Sequence, residues 1–135
     1  MNEANRFQFD LANVVHPGQP DNLLWPSESD FRVDVVELAW WRVLLWPKER
    51  NHSIPEPPAQ LLYQTFLIGN SGLALSVQGR YRRLYQLFSG YTHSRYCKAG
   101  GVFYRSTSEP AVRELYLLLK FGSQWVGIKT KVVET

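Results

Sequence analysis

Residues 76–105 read SVQGRYRRLYQLFSGYTHSRYCKAGGVFYR, and this stretch decides the fold that the sequence predicts. Ser76 is a typical N-cap residue, and the apolar residues after it recur at helical spacing. The pattern predicts a helix over 77–89. The Ala-Gly-Gly at 99–101 then predicts the turn of a hairpin over 95–105.

A second helix is predicted upstream over 59–68, because Pro58 suits the first turn of a helix. Helix, turn, helix and glycine-tipped hairpin follow in the order of a winged helix-turn-helix module, which this stretch resembles in layout. The resemblance implies that the second helix enters the major groove of DNA and that the hairpin contacts the backbone.

The end of the chain predicts one helix and one strand. Ser108 and Pro110 are typical of a helix start, and Gly122 is typical of its end. Residues 124–133 alternate between apolar and polar side chains, which is typical of a strand.

Seven of the eight prolines lie before residue 59 and divide this part of the chain into short elements. We expect a strand over 7–15 and loops over 16–26 and 48–58. Over 27–46 we prefer a helix capped by Ser29, although a strand over 31–36 fits the alternation there.

These elements predict an α+β fold for the 135 residues, as one small domain over 1–135. We expect three to four helices, a small antiparallel sheet and a winged helix-turn-helix-like segment. A single cysteine excludes a disulfide framework within the chain.

The net charge of +3 is unevenly distributed. Residues 1–56 contain nine acidic and five basic residues, whereas residues 57–108 contain six basic residues and no acidic one. Residues 109–135 have a net charge of +1. Such a division is typical of a chain whose basic part meets an anionic partner.

The basic part interleaves its cations with tyrosine and phenylalanine, the combination that binds phosphates and unstacked bases. We therefore expect a non-enzymatic protein that binds DNA or RNA, or a small subunit of a nucleoprotein assembly. The candidate phosphate-binding residues are Arg80, Arg82, Arg83, Arg95, Lys98 and Arg105. A solvated basic face is the alternative interpretation.

Four tryptophans fall in the acidic part of the chain, and one domain of this size rarely hides so many large rings. The alternative function is therefore a structural or adapter subunit that binds a protein, or another copy of itself, through aromatic residues. The candidate interface residues are Trp25, Trp40, Trp41 and Trp46.

Motifs for other chemistry are weak. His93 and Cys97 lack enough further ligands for zinc, and basic neighbours could activate the Cys97 thiol only if they share its face. The acidic residues Asp30, Asp34 and Glu37 would share a face only on a helix. We expect no cofactor, no metal and no catalytic residue. No membrane helix and no secretory signal is visible, so we expect a cytoplasmic protein without a membrane partner.

Overall fold

A five-stranded antiparallel sheet forms the centre of the protein, with helices packed on one of its faces. The computed structural model describes residues 2–16, 23–25, 31–46, 51–54, 57–68 and 74–133. The helices are α1 (Glu3–Val15), α2 (Trp40–Leu44), α3 (Pro58–Leu62) and α4 (Leu75–Thr92). The strands are β1 (Leu24–Trp25), β2 (Phe31–Arg32), β3 (Asp34–Ala39), β4 (Asn51–Ile54), β5 (Cys97–Ser106), β6 (Val112–Phe121) and β7 (Gln124–Val133). The predicted α+β class is confirmed.

The strand order of the large sheet is β3-β7-β6-β5-β4, and β1 pairs with β2 in a separate ribbon. All neighbours in the large sheet are antiparallel, so the edge strands β3 and β4 run in the same direction. The chain between them must cross from one edge of the sheet to the other, and α2 lies in that crossing. We call the sheet face that packs on α1, α3 and α4 the inner face, and the opposite one the outer face.

The three long strands correct two predictions. Residues 97–106 form one strand rather than a hairpin, and the predicted helix between Ser108 and Gly122 is β6. In β6, Leu117 and Leu119 belong to the core under the helices, while Leu118 is buried on the outer face. A strand buried on both faces is a continuous apolar run, which also fits a helical pattern.

The loss of the hairpin removes the wing, so α3, α4 and the following strand do not have the winged helix-turn-helix layout. Instead β5 continues into a meander with β6 and β7. Gly122 belongs to the turn between β6 and β7 instead of ending a helix, and its positive φ of 60° is a conformation that glycine adopts readily. The predicted strand over 124–133 is confirmed as β7.

The predicted strand over 7–15 is wrong, because Glu3–Val15 is a helix. The side-chain oxygen of Asn2 accepts a hydrogen bond from the Asn5 backbone N–H at 2.8 Å and caps its first turn. The residues that this helix buries are Ala4, Phe7, Leu11, Val14 and Val15. Their spacing places them on one side of a helix, and a strand pattern beginning at Phe7 omits the first turn.

The preferred helix over 27–46 is also wrong, and the competing strand interpretation holds where the structure describes the segment. Residues 31–32 and 34–39 form β2 and β3, and only 40–44 are helical. The proposed cap Ser29 lies outside the described residues. Within the expected loop at 48–58, residues 51–54 form the edge strand β4.

The two predicted central helices exist with changed bounds. Pro58 occupies the first turn of α3, which continues as a π-helical turn over Tyr63–Leu67. The second helix, α4, begins before Ser76 and runs past Gly90 to Thr92. The predicted helix stop at 69–72 lies outside the described residues.

Aromatic contacts hold the inner layer together. The Phe7 ring of α1 meets Phe88 and Tyr91 of α4 at 5.1 and 4.7 Å between ring centres, and Phe121 of β6 at 5.7 Å. Such ring pairs add to the stabilisation from apolar burial. They fix α1 between α4 and the sheet.

Candidate functional site

The outer face of the sheet carries its own aromatic layer. Gly101 of β5 leaves space that the Phe103 ring occupies, since a Cβ there would lie 2.6 Å from that ring. The Phe103 ring meets Trp125 of β7 edge-on at 5.5 Å. Leu118, in register with Gly101 and Gly127, is fully buried. The Phe103 ring thus covers the space that Gly101 leaves on the sheet.

Trp46, just after α2, joins this layer. Its ring lies 4.7 Å from Tyr116 and 5.6 Å from Phe103, measured between ring centres. The Arg105 guanidinium sits 4.7 Å from the centre of the same ring, a cation–π distance. These contacts attach the chain that carries α2 to the middle of the outer face.

Charges near this layer are paired. The Lys129 ammonium lies 2.9 Å from one oxygen of Glu114, and the Arg105 guanidinium lies 3.9 Å from the other. The bond from Glu114 raises the pKa of Lys129 above its usual value. Glu114 therefore ties β5, β6 and β7 together.

The other side of α2 is exposed. The peptide N–H of Trp40 donates to the Ser123 carbonyl oxygen at 2.9 Å, so the helix begins beside the β6–β7 turn. Four large apolar residues on α2 and its C-cap face solvent, and we call them the α2 ridge: Trp40, Trp41, Leu44 and Leu45. Their exposed fractions are 45, 51, 68 and 70%. Together they present roughly 400 Å² of apolar surface, the size of the largest patches on ordinary monomers.

The four tryptophans predicted as an interface are therefore separated. Trp25 is 5% exposed and lies in the core, where its ring meets Phe66 and Tyr81. Trp46 is half-buried on the outer face. Only Trp40 and Trp41 keep the exposure that an interface residue requires.

Sequence reasoning missed Leu44 and Leu45 as members of this surface. The signal was present, because residues 38–46 are apolar except for Arg42. A helix that is apolar on all sides needs cover on all sides. The sheet covers only one side of α2.

The predicted phosphate-binding cations on α4 fall into two groups. Arg80 is half-buried and donates to the carbonyl oxygens of Val14 and Val15 at 2.8–3.2 Å, which satisfies the C-terminal end of α1. Arg82 and Arg83 are exposed. Arg80 therefore has a structural role in this fold.

The other three predicted cations lie elsewhere. Arg105 is bound in the outer aromatic layer with Trp46 and Glu114. Arg95 and Lys98 are exposed beside the beginning of β5. The six cations thus do not form one continuous face.

The weaker candidates from the sequence are also accounted for. Burial raises the pKa of the Cys97 thiol, which disfavours the reactive thiolate. Asp34 and Glu37 lie three apart on a strand and so point to opposite faces; Asp30 lies outside the described residues. Among the residues whose placement is described, no group of three or more His, Cys, Asp or Glu side chains could hold a metal ion.

A cavity of about 700 Å³ opens beside the β6–β7 turn. It lies between the first turns of α1, the start of β5 and the end of β6. Its charged lining residues are Glu3, Arg6 and Lys98, and Tyr96 adds an exposed ring. Arg6 is a cation that the sequence analysis did not select.

Among the described residues, no helix has the length and apolarity to cross a membrane. No protein-family model matches the chain, and a comparison with curated proteins finds no significant relative.

Proposed function

We propose that this protein is a non-enzymatic binding subunit that docks another protein through the α2 ridge. The proposal rests on the contrast between the two sides of the segment that carries α2: one side is anchored on the sheet and the other is exposed. Trp46 anchors the segment on the sheet, while Trp40, Trp41 and their leucine neighbours face solvent. A rigidly held apolar surface binds with little loss of side-chain entropy.

The residue types favour a protein as the partner. Tryptophan and arginine are enriched among residues that dominate protein–protein binding energy, and Trp40, Trp41 and Arg42 are consecutive here. Arg42 is exposed and is the one charged residue in 38–46. The complementary surface is therefore an apolar groove with a carboxylate at its rim.

Site-specific photocrosslinking in the native host cells tests this proposal. A photoreactive phenylalanine replaces Leu44 in one variant and Glu109 in a control, because Glu109 is exposed in the β5–β6 turn at the far end of β6. We expect one protein to crosslink from position 44, to be absent from position 109, and to be lost when Trp41→Ala is added.

Equal crosslinking from both positions, or none from position 44, would overturn the docking proposal. Two further measurements identify other occupants of the ridge. A purified chain that is a dimer by light scattering, and a monomer with Leu44→Asp and Leu45→Asp, would make the partner a second copy. Sedimentation with phosphatidylserine vesicles, lost in the same variant, would replace the protein partner by a membrane surface.

Nucleic-acid binding is a second proposal, supported by four exposed cations among the six that the sequence selects. Arg82 and Arg83 lie on α4, and Arg95 and Lys98 lie near the start of β5. Residues 57–108 contain no carboxylate side chain that would repel phosphate. This proposal concerns two smaller basic areas rather than one continuous face.

The test is binding of labelled single-stranded RNA and duplex DNA over a salt series. We expect Arg82→Glu with Arg83→Glu to lower the affinity at least tenfold and to flatten the salt slope by about one to two units. Lys131→Glu, at an exposed cation near the end of β7, is the control, with half the charge change of the double variant. Equal effects of both variants, or no binding at low salt, would refute this proposal.

A further inference from the structure

The cavity beside the β6–β7 turn combines the groups that a nucleotide requires. Its volume of about 700 Å³ lies within the usual range for small-ligand sites. Ala4 and Phe121 supply apolar lining, and Phe121 is almost fully buried. Ser123 and Gln124 add hydrogen-bonding groups from the turn and the start of β7. The lining therefore combines apolar and polar groups.

Two cations from different elements line this cavity. Arg6 comes from α1 and Lys98 from β5, and both side chains are exposed. Arginine binds phosphate oxygens through a planar fork, and lysine binds them as a point charge. Together with Glu3 they give the lining a net charge of +1, which a bound phosphate group would offset.

Tyr96 supplies a ring for stacking. It is 49% exposed, and the Arg95 guanidinium lies 4.8 Å from the ring centre and donates to the Tyr96 hydroxyl at 2.6 Å. These contacts restrain the ring where it lines the cavity. A held aromatic ring is a platform for a nucleobase, which stacks on it largely independently of its identity.

Glu3 is the carboxylate of the cavity. A carboxylate opposes a phosphate placed directly beside it, but it accepts hydrogen bonds from sugar hydroxyl groups. A ligand with a phosphate at one end and hydroxyls in its middle satisfies both requirements. Inorganic phosphate alone would leave Glu3 and Tyr96 unused.

We propose that this cavity binds a nucleotide, with its phosphate on Arg6 and Lys98 and its base on Tyr96. The inference goes beyond docking through the α2 ridge, and it shares only Arg95 and Lys98 with the nucleic-acid proposal. The nucleotide is either free or the 5′-terminal residue of a single strand, because both present the same phosphate, sugar and base.

Calorimetric titration with adenosine monophosphate, inorganic phosphate and adenosine tests the site. We expect the mononucleotide to bind at least tenfold more tightly than phosphate or adenosine. Arg6→Glu with Lys98→Glu should lower its affinity at least tenfold, and Tyr96→Leu should reduce it toward that of phosphate. Lys131→Glu, at the other end of β7, should leave it unchanged.

Absence of saturable binding of the mononucleotide at low salt would overturn the inference, as would equal losses in the Lys131 control. Equal affinity for phosphate and mononucleotide would refute the stacked base. A short RNA with a 5′ phosphate that binds more tightly than the mononucleotide identifies the terminal residue as ligand, and the reverse order identifies the free nucleotide. The Arg82→Glu, Arg83→Glu variant separates this site from polymer binding on α4, because neither residue lines the cavity.

Discussion

Replacing Trp46 by alanine should destabilise the fold far more than replacing Trp41, although both lie in the same short segment. The Trp46 ring contacts Tyr116, Phe103 and Arg105 on the outer face. The Trp41 ring is 51% exposed on the opposite side of α2. The comparison therefore tests which side of the segment holds the chain.

The magnitude follows from the contacts. Each aromatic pair is worth about 0.5–1.5 kcal/mol, and a cation–π contact adds about 0.5–1 kcal/mol. Trp46→Ala should therefore lower the free energy of unfolding by about 1.5–4 kcal/mol. Trp41→Ala should lower it by less than about 1 kcal/mol, because substitutions at half-exposed positions usually cost little.

Urea unfolding followed by circular dichroism measures both values without depending on tryptophan fluorescence. With a slope of about 2 kcal/mol per M, the midpoint of Trp46→Ala should fall by about 0.8–2 M and that of Trp41→Ala by less than about 0.5 M. Similar midpoints for the two variants would refute the placement of α2 across the outer face. Crosslinking from position 44 should be lost in Trp41→Ala, because Trp41 belongs to the ridge.

Three further predictions concern the rest of the fold. Gly79→Ala and Gly90→Ala should each raise the free energy of unfolding by about 0.5–1 kcal/mol in a thermal or urea melt, since both lie inside α4 with open space around the new Cβ. Gly127→Ala should instead lower it by more than about 3 kcal/mol, because its Cβ would collide with the Leu117 carbonyl. A stable Gly127→Ala variant would contradict the register of β6 and β7. Arg80→Met should lower the free energy of unfolding, measured in urea, by about 1–3 kcal/mol, because it leaves carbonyl groups at the end of α1 without a hydrogen-bond donor. Arg82→Met should change it by less than about 0.5 kcal/mol. Equal effects of the two variants would show that Arg80 does not hold α1. The free energy of unfolding should fall as the pH rises above 10.0, because Tyr91 then loses its proton in the unfolded chain, whereas burial and the hydrogen bond to Asp10 raise its pKa in the folded protein. Urea midpoints measured at successive pH values should fall less steeply in Tyr91→Phe. An unchanged alkaline decline in this variant would contradict the Tyr91–Asp10 hydrogen bond.

Local patterns predicted several elements whose burial is one-sided, although α1, which is also buried on one side, was interpreted as a strand. Residues 124–133 alternate and form β7, and Pro58 begins a helix as its fixed φ requires. The α4 pattern also survived, because its buried residues fall on one side of a helix. In each of these elements, the spacing of the buried residues fits only one type of secondary structure.

The pattern failed where both sides of an element are covered. β6 packs on helices with one face and on the outer aromatic layer with the other, so its run of leucines carries no period of two. The glycines at 100–101 suggested a turn, whereas the Phe103 ring covers Gly101 within an extended strand. The local sequence pattern reveals neither the aromatic layer on the outer face of β6 nor the packing of the Phe103 ring over Gly101.

The sequence by itself determined which chemical groups the protein has: an apolar segment at 38–46, and a basic, carboxylate-free segment at 57–108. Only the tertiary structure decided which of them remain available. It buries Trp25, commits Arg80 to the end of α1, places Arg105 on Trp46, and leaves the α2 ridge exposed. It also brings Arg6 and Lys98 to one cavity although they are far apart in the chain. The physical reason is that availability depends on what packs against a side chain, and those partners come from distant parts of the sequence.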